Sequence, residues 1–135
     1  MRVGYLDTSC LVAVAFDEPG GAELGRRLEA YDHLVSSNLL EAEYRAALRR
    51  EGVEEEITEG VRMLAGLTWV LPNRPLSMEI GRVLIVRYLR GADLWHLATA
   101  LFLTDTPAEV DFLTLDANQR ETAEKLGFPT PVEIG

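Results

Sequence analysis

Short apolar runs stand at Val3–Leu6, His33–Ser36, Thr68–Leu71, Val110–Leu115 and Val132–Ile134. They are mostly apolar rather than alternating, so each must be covered on both faces. Helical stretches separate them, and such a pattern specifies an α/β domain with a parallel sheet packed between helices. Helices are expected over Leu11–Phe16, Ala22–Ala30, Leu39–Arg50, Glu54–Leu64, Ser77–Tyr88, Asp93–Leu103 and Asn118–Leu126. Asn38 is placed to cap the third and Gly52 to end it, while Pro19-Gly20-Gly21 breaks the first from the second.

The 135 residues fit a single domain, 1–135, with no repeat or low-complexity segment. Cys10 is the only cysteine, which excludes an intramolecular disulfide framework and a thiolate metal cluster. The N-terminal stretch lacks the basic region and unbroken apolar core of a signal peptide, and no window has the length of a membrane span. The expectation is a soluble, cytoplasmic protein with no membrane partner. A net charge of −9 argues against a passive nucleic-acid wrapper, which would be basic. An enzyme acting on nucleic acid is still compatible with it, needing clustered carboxylates for metals and only local arginines for phosphate. Arginines do fall in groups, at Arg26–Arg27, Arg45/Arg49–Arg50 and Arg87/Arg90, although genome composition alone would give the same bias.

Four carboxylates stand out by position. Asp7 directly follows the first strand and Asp116 the run Phe112–Leu115, at strand ends where open parallel sheets bind ligands. Either could equally be a helix cap or a turn residue. At about 100° per residue, Glu43 falls among Leu39, Leu40, Ala42, Ala46 and Ala47, where an unpaired carboxylate needs a metal, a basic partner or a proton. Glu41 points away, with Arg45 one turn on as a surface partner. Asp93 heads the apolar helix Asp93-Leu94-Trp95-His96-Leu97 and could cap it. His96 reads as a packed or hydrogen-bonding histidine and His33 as a surface one. With two histidines and one cysteine, a zinc site of nitrogen and sulfur ligands is disfavoured. The acids instead suit an oxygen-preferring ion, Mg²⁺ or Mn²⁺. There is no phosphate-binding P-loop, no G-x-G-x-x-G fingerprint and no G-x-S-x-G elbow.

The stretches YLDTSCLVAV, VSSNLLEAEYRAALRR, LRGADLWHLATALFL and VDFLTLDANQRETAEKLGF, in this order, resemble the PIN-domain ribonucleases and, within them, the VapC-type toxins of toxin–antitoxin pairs. The resemblance covers nearly the whole chain. It implies a three-layer α/β/α fold with a central parallel sheet of about five strands and the acids Asp7, Glu43, Asp93 and Asp116 in a groove. Ser9 and Thr114 match supporting hydroxyl positions. The implied activity is Mg²⁺- or Mn²⁺-dependent hydrolysis of RNA, leaving 5′-phosphate and 3′-hydroxyl ends. The implied partners are a cognate antitoxin and a second copy of the chain. Alternatives remain at this stage: a PIN-like nuclease for RNA processing or DNA flaps, a catalytically inactive binding module, and an acidic domain whose carboxylates are caps and ion pairs.

Overall fold

The computed structural model describes residues 1–52 and 54–132, apart from the side chains of 54–56 and 59. The first strand, β1 (Val3–Leu6), runs into α1 (Thr8–Ala15) and then α2 (Gly21–Leu28). Strand β2 (His33–Ser37) is followed by α3 (Leu39–Glu51), α4 (Glu54–Arg62) and a 3₁₀ turn, Met63–Gly66. After β3 (Leu67–Val70) come α5 (Ser77–Val86) and α6 (Gly91–Leu103), then β4 (Val110–Leu113) and α7 (Ala117–Lys125).

All strand pairs are parallel, in the order β3-β2-β1-β4. Four strands are thus found among the described residues where about five were expected. The candidate fifth, Val132–Ile134, lies outside the described residues beyond Val132. Just before it, the Phe112 backbone N–H donates to the Pro129 carbonyl at 2.8 Å, so the chain after α7 returns to the free edge of β4.

The strands are apolar on both faces because both are packed. Tyr5, Val35, Val70, Val110 and Phe112 face one way, against Val83 of α5, Leu97 and Leu101 of α6 and Ala123 of α7. Leu6 and Leu113 face the other way, against Leu11 of α1, Leu24 and Leu28 of α2 and Leu40, Tyr44 and Leu48 of α3. This is the three-layer arrangement the apolar runs require. Close packing also explains Gly4 on β1, where a Cβ would sit 2.8 Å from Leu113 Cδ1.

Several element ends differ from the sequence reading. α1 begins at Thr8 rather than Leu11, because Asp7 caps it by accepting from the Ser9 N–H at 3.3 Å. Asn38 makes no capping hydrogen bond; the Ser37 hydroxyl accepts from the Leu39 N–H instead, at 3.0 Å. α6 starts at Gly91, whose φ of 58° turns the chain out of the preceding loop, so Asp93 sits inside the first turn and does not cap it. No described helix is long and apolar enough to cross a membrane.

Candidate active site

The strand order fixes where a site belongs. The chain builds outward from β1 to β2 and β3, then returns to place β4 on the other side of β1. The connections diverge between β1 and β4, and a crevice forms beyond the carboxyl ends of the strands at such a point. Asp7 follows β1 and Asp116 follows β4, with Leu6 paired to Leu113 between them. The Asp7 N–H continues the ladder to the Leu113 carbonyl at 2.9 Å.

Asp7 is buried, yet among the described residues no arginine or lysine pairs with it. Its Oδ2 accepts from the Ser9 hydroxyl at 2.6 Å and lies 3.0 Å from the Thr114 hydroxyl. Ser9 also accepts from the Leu115 N–H, and Thr114 from the Asp116 N–H, both at 3.0 Å. The two hydroxyls therefore stitch the end of β4 to the acid of β1. The other oxygen, Oδ1, lies 3.8 Å from His96 Nε2.

Glu43 of α3 repeats the pattern. Its Oε1 accepts from the Thr8 hydroxyl at 2.8 Å and pairs with His96 Nε2 at 2.9 Å, and its Oε2 has no hydrogen-bond partner among the described residues. Burial pushes this carboxyl up, but the hydrogen bonds from His96 and Thr8 outweigh burial and hold its pKa below the ordinary value. Asp116 caps α7, its Oδ1 accepting from the Gln119 N–H at 2.8 Å. Gln119 is fully buried and also donates through its side chain to the Asp93 carbonyl, at 3.3 Å, tying α7 to α6.

The Asp93 side chain has no hydrogen bond among the described residues. Burial raises its pKa, followed by the negative charges of Asp116 and Asp7, with a lesser push from Glu43. The four acids predicted from the sequence therefore share one electrostatic site. Among the described residues, no three His, Cys, Asp or Glu side chains close into a ready-made cage. The donor set still fits a hydrated hard cation: oxygen atoms left free on separate carboxylates suit Mg²⁺, which keeps several waters and takes few protein ligands. His96, with both ring nitrogens engaged inside the protein, is not in that set.

Thr8, Tyr5 and Gln119 belong to the site and were not singled out from the sequence. Asp116-x-x-Gln119 follows the spacing of a capping box, which could have flagged Gln119. The grouped arginines read differently once folded. Arg26, Arg45, Arg50 and Arg87 each pair with a nearby glutamate, as isolated surface ion pairs do.

The carboxylates are gathered at the topological switch point of a parallel α/β sheet, where such folds bind ligands. The chain belongs to the PIN domain family, whose match spans residues 4–125. It is 34% identical over 128 residues, 95% of each chain, to Ribonuclease VapC46 of Mycobacterium tuberculosis. It is also 30% identical over 114 residues to Ribonuclease VapC45 and Ribonuclease VapC49 of the same organism, covering 78% of this chain and 79% of theirs.

Proposed function

We propose that this protein is a Mg²⁺- or Mn²⁺-dependent endoribonuclease and the toxin of a type II toxin–antitoxin pair. One observation carries the reading: among the described residues, Asp7, Glu43 and Asp116 each have one oxygen held by hydrogen bonds, Asp93 has none, and no arginine or lysine pairs with any of the four. Carboxylates that served only in ion pairs would face such a base. Here three are pre-oriented, and the four together favour positive charge.

The reaction that fits is attack of water on a phosphodiester, forming a new P–O bond and breaking the bond to the 3′ oxygen, which leaves as a hydroxyl. A bound divalent ion would supply an acidified water and neutralise charge on the phosphate. Ser9 and Thr114 hold Asp7 with Oδ1 turned to the groove, and Thr8 with His96 does the same for Glu43 Oε2. Gln119 sets the separation between Asp93 and Asp116. RNA in single-stranded loops is the substrate class, since bases there can be splayed and read. The inhibitory partner would be a small antitoxin whose arginine-bearing segment enters the acidic groove, relieving its repulsion through charge-assisted hydrogen bonds. The toxin itself would pair with a second copy.

Purified protein should cleave structured RNA with Mg²⁺ or Mn²⁺ and stop in EDTA. Asp7→Asn should lower cleavage by at least about a hundredfold while leaving the unfolding curve cooperative. Equal cleavage by the wild type and Asp7→Asn would remove the site. Co-purification with the product of an adjacent gene, followed by the same assay, tests the toxin reading; a bound partner that leaves cleavage unchanged would sink it.

A further inference from the structure

His96 lies one turn beyond Asp93 on α6, with its side chain fully buried beneath the acids. Its Nδ1 is 2.8 Å from the Tyr5 hydroxyl and its Nε2 is 2.9 Å from Glu43 Oε1. The phenol is held from more than one side, and it in turn holds the ring. The Tyr5 oxygen accepts from the Ser37 backbone N–H at 3.2 Å, a bond whose direction is fixed. The nearby hydroxyls of Ser36 and Thr99 donate elsewhere, to the carbonyls of Leu6 at 2.7 Å and Trp95 at 2.8 Å. Burial raises the phenol's pKa, so Tyr5 keeps its proton.

A ring without a hydrogen on Nε2 would turn a bare lone pair toward a carboxylate oxygen 2.9 Å away, so Nε2 carries one. Nε2–H then donates to Glu43 Oε1 alongside the Thr8 hydroxyl, whose oxygen is 3.4 Å from the same ring nitrogen. Two donors on one oxygen fix the carboxylate plane and leave Oε2 as the atom available to the groove.

We infer that His96 is a positioning residue for Glu43, held by Tyr5 with Nε2–H turned to Glu43 Oε1 so that Glu43 Oε2 is presented to a metal ion. The inference rests on the nuclease reading for the identity of what Oε2 meets; the His96–Glu43 orientation does not. The ring cannot drift, because it stands edge-on to Tyr5 with centroids 5.8 Å apart, and Tyr5 in turn stacks on Phe112 at 5.3 Å. Outer partners of this kind, which set a ligand's orientation without touching the metal, change metal affinity by about 10- to 100-fold when removed.

The test has two readouts that need no cleavage. Nitrogen-15 NMR of the metal-free protein should show a hydrogen on His96 Nε2, with His33 assigned by its own substitution. Tyr5→Phe keeps the stack on Phe112 and removes the hydroxyl that holds Nδ1. Calorimetry with Mn²⁺ should then show about tenfold weaker binding for Tyr5→Phe and His96→Asn. His96→Gln, whose amide nitrogen lies as many bonds from Cβ as Nε2 does, should recover most of the affinity. A merely structural histidine would show no such split between Gln and Asn at equal stability. A ring with no hydrogen on Nε2, or His96→Asn binding Mn²⁺ like the wild type, overturns the inference. Wild-type protein that binds no Mn²⁺ and cuts no RNA yet shows the Nε2–H ring overturns the nuclease reading and leaves the His96–Glu43 orientation standing.

Discussion

On α3, Glu41 reaches outward to Arg45 at 3.1 Å, while Glu43 turns inward to Thr8 and His96. Removing the first charge loses one exposed ion pair, worth about 0.3–0.5 kcal/mol. Removing the second alters the groove itself. Glu43→Gln should weaken Mn²⁺ binding and RNA cleavage by at least about tenfold, and Glu41→Gln should change neither. A calorimetric titration of both variants checks this, and a Glu41 variant that loses metal while Glu43→Gln keeps it would reverse the assignment. The sequence pointed to Glu43 for a partly mistaken reason. The helical wheel placed it mid-way along an apolar arc that included Ala42 and Ala46, but both alanines are exposed. The buried line is Leu40, Tyr44 and Leu48, and Glu43 stands at its margin, where a side chain can be half covered and still reach a groove. Alanine is too small to report which face is packed. Thr8 was not legible, because its partner Glu43 lies on another element, and Gln119 showed only as the spacing of a capping box.

At the level of elements, strand ends were easier to read than helix starts. A buried apolar run followed by aspartate marks the carboxyl edge of a parallel strand, and both Asp7 and Asp116 lie there as helix caps that keep a free oxygen. Helix starts depend on which polar side chain wins the first free N–H groups, and Asn38 lost to Ser37. The loop between β3 and α5 is secured by another contact that patterning does not reveal. Arg74 donates through Nη1 and Nη2 to the two oxygens of Glu79 at 3.1 and 2.6 Å, with its guanidinium 5.2 Å from the centre of the Phe102 ring. The Arg74 hydrogen bonds hold the Glu79 carboxyl below its ordinary 4.5. A depressed folded-state pKa stabilises the protein above the ordinary value, and that contribution is lost as pH falls through the folded one. Arg74→Gln should therefore lower the urea midpoint at pH 7, with the gap to wild type narrowing toward pH 3. A gap of constant size at both pH values would mean that the guanidinium acts through Phe102 packing and not through Glu79.

For the whole molecule, sheet order does what no local pattern could. Residues far apart in sequence become neighbours because β4 returns beside β1 and α3 and α6 lie on opposite faces. The apolar runs announced a parallel sheet, but nothing in them encoded the order β3-β2-β1-β4. The same packing leaves an outer stripe on α5 uncovered: Met78 is 77% exposed and Ile85 87%, with Tyr88 just past the helix end at 76%. Met78 and Ile85 are seven residues apart on one helix face, and Gly81 between them has open space around it. A contiguous apolar stripe of this kind on a chain of net charge −9 is the surface on which the proposed second copy would pack. Wild-type protein at tens of micromolar should then sediment as a dimer, and Ile85→Glu should sediment as a monomer. The variant's own unfolding free energy should move by no more than about 0.5 kcal/mol, since Ile85 packs against little within one chain. Because the stripe is on a helix covering the sheet, and not at the carboxyl edge, the monomeric variant should still bind Mn²⁺. A wild type that stays monomeric throughout, or an Ile85→Glu protein that remains dimeric, would remove this face from the assembly.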